Sequence, residues 1–337
     1  LREAAGLSLP DPIGAVTTDS REIGPKSVFV ALQGERADGA DFVEAAFGKG
    51  ALAAIVSEAG SKKVPGELAR TRPVFVVRDP VEARGDLARA HRLRHRHIPL
   101  AAITGSSGKT TTKEMLSCLL SRSRKVLCNP GNRNNLIGMP LALLALSEEH
   151  DVAILEMGTN SPGEIARLAG IAAPDIGLIT NIAPAHLLGL GSMEGGARDK
   201  GELFRALPPE GVAVVNATDL RAVREAARCS AEKVYYGVPM NDFHGRILSM
   251  TDTGMRIAIR TPAGEFTSSI GVSGEHHLMN ALAATAVAFT LGLRPDGMEE
   301  GFASFSSVPG RFHAEPLRGG GLLLDDSYNA NPASVEA

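Results

Sequence analysis

Residues 105–110 read Gly-Ser-Ser-Gly-Lys-Thr, a spacing suited to holding an anion. Small residues let consecutive backbone N–H groups wrap a phosphate, and a helix that starts at the lysine points the positive end of its dipole at the same place. Lys109 adds a point charge for the terminal phosphates of a nucleotide, and the Thr110 hydroxyl stands where a phosphate-bound Mg²⁺ needs an oxygen. Gly105, Ser106, Ser107, Gly108, Lys109, Thr110 and Thr111 are therefore the candidate ATP contacts. The full pattern asks for a glycine five residues before Gly108, where this chain has Ile103; the compact Gly-x-x-Gly-Lys-Thr form remains. An apolar strand before the loop and a helix after it separate this stretch from an ordinary glycine turn.

Other residues carry chemistry only if the fold brings them to this loop. Glu156 ends the apolar run Asp151–Met157. An acid at a strand end beside the loop can hold Mg²⁺, and its spacing equally allows a carboxylate facing solvent. His186 follows the run Ile176–Ile182 in the same way, and a lone histidine is more often structural than a ligand. Lys200 falls mid-helix, where spacing alone reads as a solvated lysine. Asn132, Asn134 and Asn135 lie in a Gly/Asn-rich turn and by themselves are turn chemistry.

The elements that must position these groups follow from periodicity. The 337 residues exceed the ~250–300 at which single cores stop growing, so at least two domains are expected. In residues 1–97, strands at Ser27–Leu32, Ala51–Val56 and Pro73–Val77 with a helix at Asp41–Lys49 make a small α/β module. Arg89–His97 reads as the solvated face of a helix ending before Pro99, with no interleaved aromatics for nucleic-acid stacking. From residue 98, strands at Leu100–Ile103, Asp151–Met157, Ile176–Ile182 and Val212–Asn216 alternate with helices at Lys109–Leu120, from Ser161, and at Met193–Leu207. That order implies a doubly wound parallel sheet. Arg246–Ile270 reads as antiparallel strands with a Pro-Ala-Gly turn, His276–Leu291 as an Ala-rich helix, and Leu322–Asp326 as a last strand closing on the polar turn Ser327–Pro332.

Bulk properties exclude several classes. A net charge of −3 is too weak a bias to recruit nucleic acid or a membrane surface. Cys118, Cys128 and Cys229 share no metal-type spacing and fit buried free thiols in a reducing compartment. No apolar run approaches the ~18–20 residues that span a bilayer. A cytoplasmic monomer with no nucleic-acid partner and no membrane insertion is the expectation.

Taken together, these segments resemble the Mur ligases, the amino-acid-adding enzymes of peptidoglycan synthesis. The resemblance is carried by Thr104-Gly-Ser-Ser-Gly-Lys-Thr-Thr, Gly131-Asn-Arg-Asn-Asn, Glu156-Met-Gly-Thr-Asn-Ser-Pro-Gly-Glu-Ile, Asn181-Ile-Ala-Pro-Ala-His, His276-His-Leu-Met-Asn-Ala-Leu-Ala-Ala, Pro309-Gly-Arg and Asp325-Asp-Ser-Tyr-Asn-Ala-Asn-Pro, in family order. Thr18-Asp-Ser-Arg and Phe29-Val-Ala-Leu-Gln-Gly resemble the uridine-nucleotide domain. Asp-Ser-Tyr-Asn-Ala-Asn-Pro and the Asn-rich turn favour the members that join D-Ala-D-Ala to UDP-N-acetylmuramoyl-tripeptide.

The resemblance implies an ATP- and Mg²⁺-dependent, amide-forming ligase acting through an acyl phosphate. It implies catalytic roles for Lys109, Lys200 and His186, and metal contacts from Thr110, Glu156, His186 and Lys200. Asn280, Arg311 and Asp326 (or Asp325) match ATP-side positions. Ser20 and Arg21 match the uridine-diphosphate side, and Asn134 and Asn135 the central-domain side of the sugar nucleotide. Lys200 falls at the family's carbamylated lysine; CO₂ added to a neutral amine replaces a cation that repels Mg²⁺ with an anionic oxygen. His277 departs from a usual Asn, and Ala40 from a usual His. The implied domains are 1–97 for the UDP-sugar, 98–314 for ATP, and 315–337 as linker and start of the family's third, Rossmann-like domain, whose remainder is expected to lie beyond Ala337. Two other readings stay open at this point: a UDP-sugar and nucleotide binding module without turnover, and a related Mur or folylpolyglutamate-type ligase with another substrate.

Overall fold

Short apolar runs separated by helical stretches give two parallel sheets. The computed structural model describes residues 13–35, 37–184, 190–307, 310, 313–317, 319, 321–325 and 327. The chain divides into two compact units, one running to Arg94 and including Pro140–Ala145, the other holding the remainder from His95.

In the first unit, β1 (Val16–Thr17), β2 (Val28–Val30), β3 (Ala53–Ser57) and β4 (Val74–Val77) form a parallel sheet in the order β1-β2-β3-β4. Successive strand residues point to opposite faces, so Phe29, Ala54 and Val56 join one apolar layer with Val43 and Phe47, while Val28, Val30, Ala53 and Ile55 join another with Phe75. The helices are α1 (Val43–Gly48), α2 (Glu58–Ser61), α3 (Gly66–Thr71) and α4 (Pro80–Arg94). The expected helix at Asp41–Lys49 starts instead as a 3₁₀ turn, Gly39–Phe42, capped by the Asp38 carboxylate. The solvated face expected over Arg89–His97 needs correction: Arg92 is fully buried. Arg84, Ala88 and Arg92 recur four apart, which puts them on one helix face, and all three are buried.

The second unit is built on a six-stranded, all-parallel sheet: β5 (Leu100–Thr104), β6 (Val126–Cys128), β7 (Val152–Glu156), β8 (Ile176–Ile179), β9 (Val212–Asn216) and β10 (Glu232–Tyr236), in the order β10-β9-β8-β5-β7-β6. Its first helix is α5 (Lys109–Ser121); α6 (Gly138–Leu143) begins in this unit and from Pro140 is counted with the first; α7 (Glu164–Ala172), α8 (Met193–Arg205), α9 (Leu220–Ala226), α10 (Glu275–Thr290) and α11 (Pro295–Ala303) complete the set. On one face, Met115, Leu116 and Leu119 of α5 pack with Leu282 of α10, Met298 and Phe302 of α11, and Ile154 and Leu178 of the sheet. On the other, Phe204 of α8 and Ala222 of α9 pack on Ile179, Ala213 and Val215. Helices on both faces of a parallel sheet are the doubly wound arrangement that the strand–helix alternation implies.

An antiparallel sheet of β11 (His244–Thr251), β12 (Gly254–Thr261) and β13 (Gly264–Ile270) covers part of the first face, with the Pro-Ala-Gly turn joining β12 to β13. The strand expected at Leu322–Asp326 is β15 (Leu322–Asp325), paired with β14 (His313–Pro316), which the sequence reading did not anticipate. Among the described residues no helix is long and apolar enough to cross a membrane.

Candidate nucleotide and metal site

The parallel strand order fixes where a site can form. β5 lies between β7 and β8, so the chain leaving β5 enters the crevice where connections diverge to opposite sides of the sheet. There it forms the loop 105–108. Gly105 has φ +151°, and a Cβ on it would lie 1.9 Å from Thr180 Oγ1; Gly108 has φ +77°, and its Cβ would lie 2.4 Å from Asn280 Oδ1. Both glycines are thus required by close approach as well as by backbone conformation.

The segment after β8 holds the loop in place. Asn181 receives Ser106 N–H on its carbonyl at 3.0 Å and Ser107 N–H on Oδ1 at 3.0 Å, and its Nδ2 donates to Ser107 Oγ at 2.9 Å. Thr180 Oγ1 donates to Ser107 O at 2.6 Å, and the Ser106 hydroxyl bridges Ala183 O and N at 2.9 Å each. These bonds explain why β8 stops at Ile179 rather than at the expected Ile182. The first turn of α5, Lys109–Thr111, has no preceding helical carbonyls for its N–H groups and opens on the same crevice. Lys109 Nζ donates to Gly105 O at 2.7 Å, so its ammonium lies over the loop.

Thr110 and Glu156 meet directly. Thr110 Oγ1 donates to Glu156 Oε2 at 2.8 Å, and Asn134 Nδ2 donates to Oε1 at 2.7 Å. Glu156 is only 1% exposed, so it is no solvent-facing strand end. Among the described residues it forms no ion pair with a cation. A buried carboxylate satisfied only by a hydroxyl and an amide, beside the loop 105–108, suits a divalent cation. Asn280 also reaches the loop: it is buried, and Oδ1 accepts from Thr112 Oγ1 at 3.4 Å.

Lys200 is 2% exposed, which corrects its reading as a solvated lysine. Its helix α8 packs on β8 and on α7, and periodicity alone did not show which face turns inward. Burial pulls the ammonium below its usual range, against the pull of Asp199. Asp199 Oδ1 accepts Gly163 N–H at 2.7 Å, tying α8 to the start of α7. Lys200 shares no hydrogen bond with Thr110 or Glu156, and no three His, Cys, Asp or Glu side chains converge on a metal position among the described residues. His186, Arg311 and Asp326 lie outside the described residues. Asp325 accepts Ser327 N–H at 3.0 Å.

The remaining candidates are placed differently. Ser20 and Arg21 sit on the turn after β1, where Arg21 grips Asp19 through Nε at 2.9 Å and Nη2 at 2.6 Å. That grip holds the Asp19 carboxyl down at about 2. Lys49 Nζ donates to Ser20 O at 2.8 Å, which brings a second cation to the turn. Asn135 does not join Asn134 at Glu156; its Oδ1 accepts Ile137 and Gly138 N–H at 3.0 and 2.8 Å and caps the start of α6. Asn181, Thr180, Asn129 and Lys113 received no role from the sequence. Thr180 and Asn181 could have been singled out as the first polar residues beyond a strand neighbouring β5.

His277 is buried, and neither ring nitrogen has a partner among the described residues. Burial, with the His276 ring 4.1 Å away, lowers it from the usual 6.5 to about 3. Between those values the unfolded chain binds a proton that the folded chain does not, so stability falls as pH drops through that window. His277→Asn is expected to flatten this loss by up to about 1.4 kcal/mol per pH unit, read from urea unfolding between pH 7 and 4. Parallel stability–pH curves for the two proteins would contradict it.

Comparison with known proteins adds the family. The Mur ligase middle domain matches residues 103–288, and the Mur ligase family catalytic domain matches residues 12–92. UDP-N-acetylmuramoyl-tripeptide–D-alanyl-D-alanine ligase of Escherichia coli K12 is 39% identical over 96% of this chain and 71% of its own length. The crystal structure of MurF from Acinetobacter baumannii matches with a TM-score of 0.87 at 34% identity, covering 97% of this chain and 71% of that one. MurF ligase from Thermotoga maritima in complex with ADP matches with a TM-score of 0.84 at 31% identity, covering 96% and 73%. The chain belongs to the Mur ligase family and groups with its MurF members.

Proposed function

We propose that this chain binds ATP at residues 105–111 and belongs to a cytoplasmic ligase that joins D-Ala-D-Ala to UDP-N-acetylmuramoyl-tripeptide in peptidoglycan precursor synthesis. The observation that carries the reading is the buried Glu156 carboxylate bonded to Thr110 of the phosphate loop. Thr110 and Glu156 would hold Mg²⁺, and Lys200, with its ammonium destabilised by burial, would carry a carbamate. Mg²⁺, when bound, neutralises charge spreading over the transferring phosphoryl group. Lys109 leaves the Gly105 carbonyl and pairs with the terminal phosphate oxygens, and the α5 N–H groups bind and orient the same phosphates.

The reaction proceeds in two displacements. A carboxylate oxygen of the tripeptide attacks the γ-phosphorus, the bond to the ADP oxygen breaks, and an acyl phosphate forms. The D-Ala-D-Ala amine then attacks the acyl carbon, loses a proton, and phosphate departs. Ser20 and Arg21 bind the uridine diphosphate, and Arg21 exchanges its bond to Asp19 for phosphate oxygens. Product mass spectrometry across a panel of D-Ala-D-Ala, free diamino acids and glutamate tests the substrate assignment: incorporation of D-Ala-D-Ala supports it, and preference for another acceptor overturns it.

Glu156→Gln keeps the shape and the Thr110 hydrogen bond but removes the charge. It is expected to raise the Mg²⁺ concentration needed for tight ADP binding by more than the ~10–100-fold typical of losing a partner that merely supports a metal ligand. An unchanged Mg²⁺ midpoint would remove Glu156 from the metal site.

A further inference from the structure

β6 pairs with β7 only as far as Cys128 beside Ile154. Beyond that point the chain leaves the sheet for the turn that carries Asn134, and one side chain continues the ladder in place of backbone. Asn129 Oδ1 accepts Glu156 N–H at 2.8 Å, and Nδ2 donates to Glu156 C=O at 3.0 Å and to Arg133 C=O at 2.9 Å. A carboxamide offers the same donor and acceptor as a peptide group. The sheet can therefore open for the site without leaving the Glu156 backbone unsatisfied. Asn129 is fully buried, and its own carbonyl accepts Lys113 Nζ at 2.7 Å. The same ammonium reaches Gly131 O at 3.3 Å and the Glu114 carboxylate at 2.9 Å. Lys113 follows Lys109 by four residues on α5 and so lies on the same helix face. The first lysine lies over the phosphate loop, and the second, fully buried, clamps the Asn-rich turn.

We infer that Asn129 and Lys113 are positioning residues for the Glu156 carboxylate. Asn129 fixes the backbone of residue 156, Lys113 fixes the turn that brings Asn134 to Oε1, and together they aim Oε2 at Thr110. The inference rests on the reading of Glu156 as a Mg²⁺ ligand. Groups that orient a metal ligand set metal affinity even though they never touch the ion.

The test is a Mg²⁺ titration of methylanthraniloyl-ADP binding to the complete product of the gene, with thermal unfolding followed in parallel. Asn129→Ala and Lys113→Met are each expected to raise the Mg²⁺ midpoint about tenfold, while affinity in EDTA stays within about twofold of wild type. Lys113→Met carries the test if Asn129→Ala does not fold. A folded variant with a wild-type Mg²⁺ midpoint would overturn the inference, as would equal weakening with and without Mg²⁺, the mark of a merely structural role. Wild-type protein indifferent to Mg²⁺, or Glu156→Gln with a wild-type midpoint, would overturn the Glu156 reading itself and the inference with it.

Discussion

Lys109→Met is expected to slow ATP-driven phosphate release by about 10²–10³-fold or more, the loss seen when one preorganised charge-stabilising group is deleted. Methionine keeps most of the unbranched stem and removes only the ammonium. In the folded chain that ammonium donates to Gly105 O and Ser106 O, and the loop is separately held by Thr180 and Asn181. Fold stability should therefore change little while the chemistry collapses. Because the charge matters most as negative charge redistributes over the transferring group, kcat should fall further than KM rises. Steady-state kinetics with the melting temperature as a control decides this. A variant whose kcat stays within about threefold of wild type would mean that Lys109 does not meet the reacting phosphates.

Gly105→Ala should unfold more easily and lose nucleotide affinity. The added Cβ would lie 1.9 Å from Thr180 Oγ1, at a backbone φ of +151°. Thr180 is buried, and its hydroxyl is committed to Ser107 O at 2.6 Å, so it cannot step aside without releasing the loop. Overpacking of this kind costs about 1–3 kcal/mol, and the strained backbone adds about 1–3 kcal/mol. Gly170→Ala is the control: it lies inside α7 with nothing within 4 Å of a Cβ, and alanine there should stabilise by about 0.5–1 kcal/mol. The same chemical change is thus expected to have opposite signs at the two positions. Urea unfolding of both variants reads it, and equal effects would contradict the packing described at Thr180.

The parts of the site that were legible in the sequence are those whose chemistry demands particular residues in consecutive positions. The loop 105–108 is legible because its close backbone approach needs glycine, and a lysine directly after it is the residue type suited to an anion. Glu156 was legible as a strand-end acid, but its burial was not, because that depends on the turn carrying Asn134 folding over it. Lys200 misread as solvated because a mid-helix lysine carries no mark of which face packs on β8. Arg92 misread for the same reason. Asn129 and Asn181 leave no periodic signal: each lies in a loop, and its role comes from what it meets far along the chain, the end of β7 at Glu156 across 27 residues and the loop residue Ser107 across 74.

Among the elements, the buried strands other than β8, which ends three residues before the expected Ile182, and the Ala-rich helix match the sequence expectation within a residue or two, since apolar periodicity is strongest there. β10 was not read. Its sequence, Glu232-Lys-Val-Tyr-Tyr, opens on two charges because it lies at the edge of the sheet, where charge discourages further pairing. The antiparallel sheet was read from its turns, as Thr261-Pro-Ala-Gly leaves little choice but to reverse the chain.

In the proposed reaction ATP is consumed only as two particular substrates are joined. The most direct measurement is phosphate release from Mg-ATP with UDP-N-acetylmuramoyl-tripeptide and D-Ala-D-Ala, with each omitted in turn, on the 337-residue chain and on the complete product of its gene. Release by the complete product is expected only when both substrates are present, with none from its Lys109→Met variant above background. Intact nucleotide binding with no release from that substrate pair, or release indifferent to D-Ala-D-Ala, would contradict it.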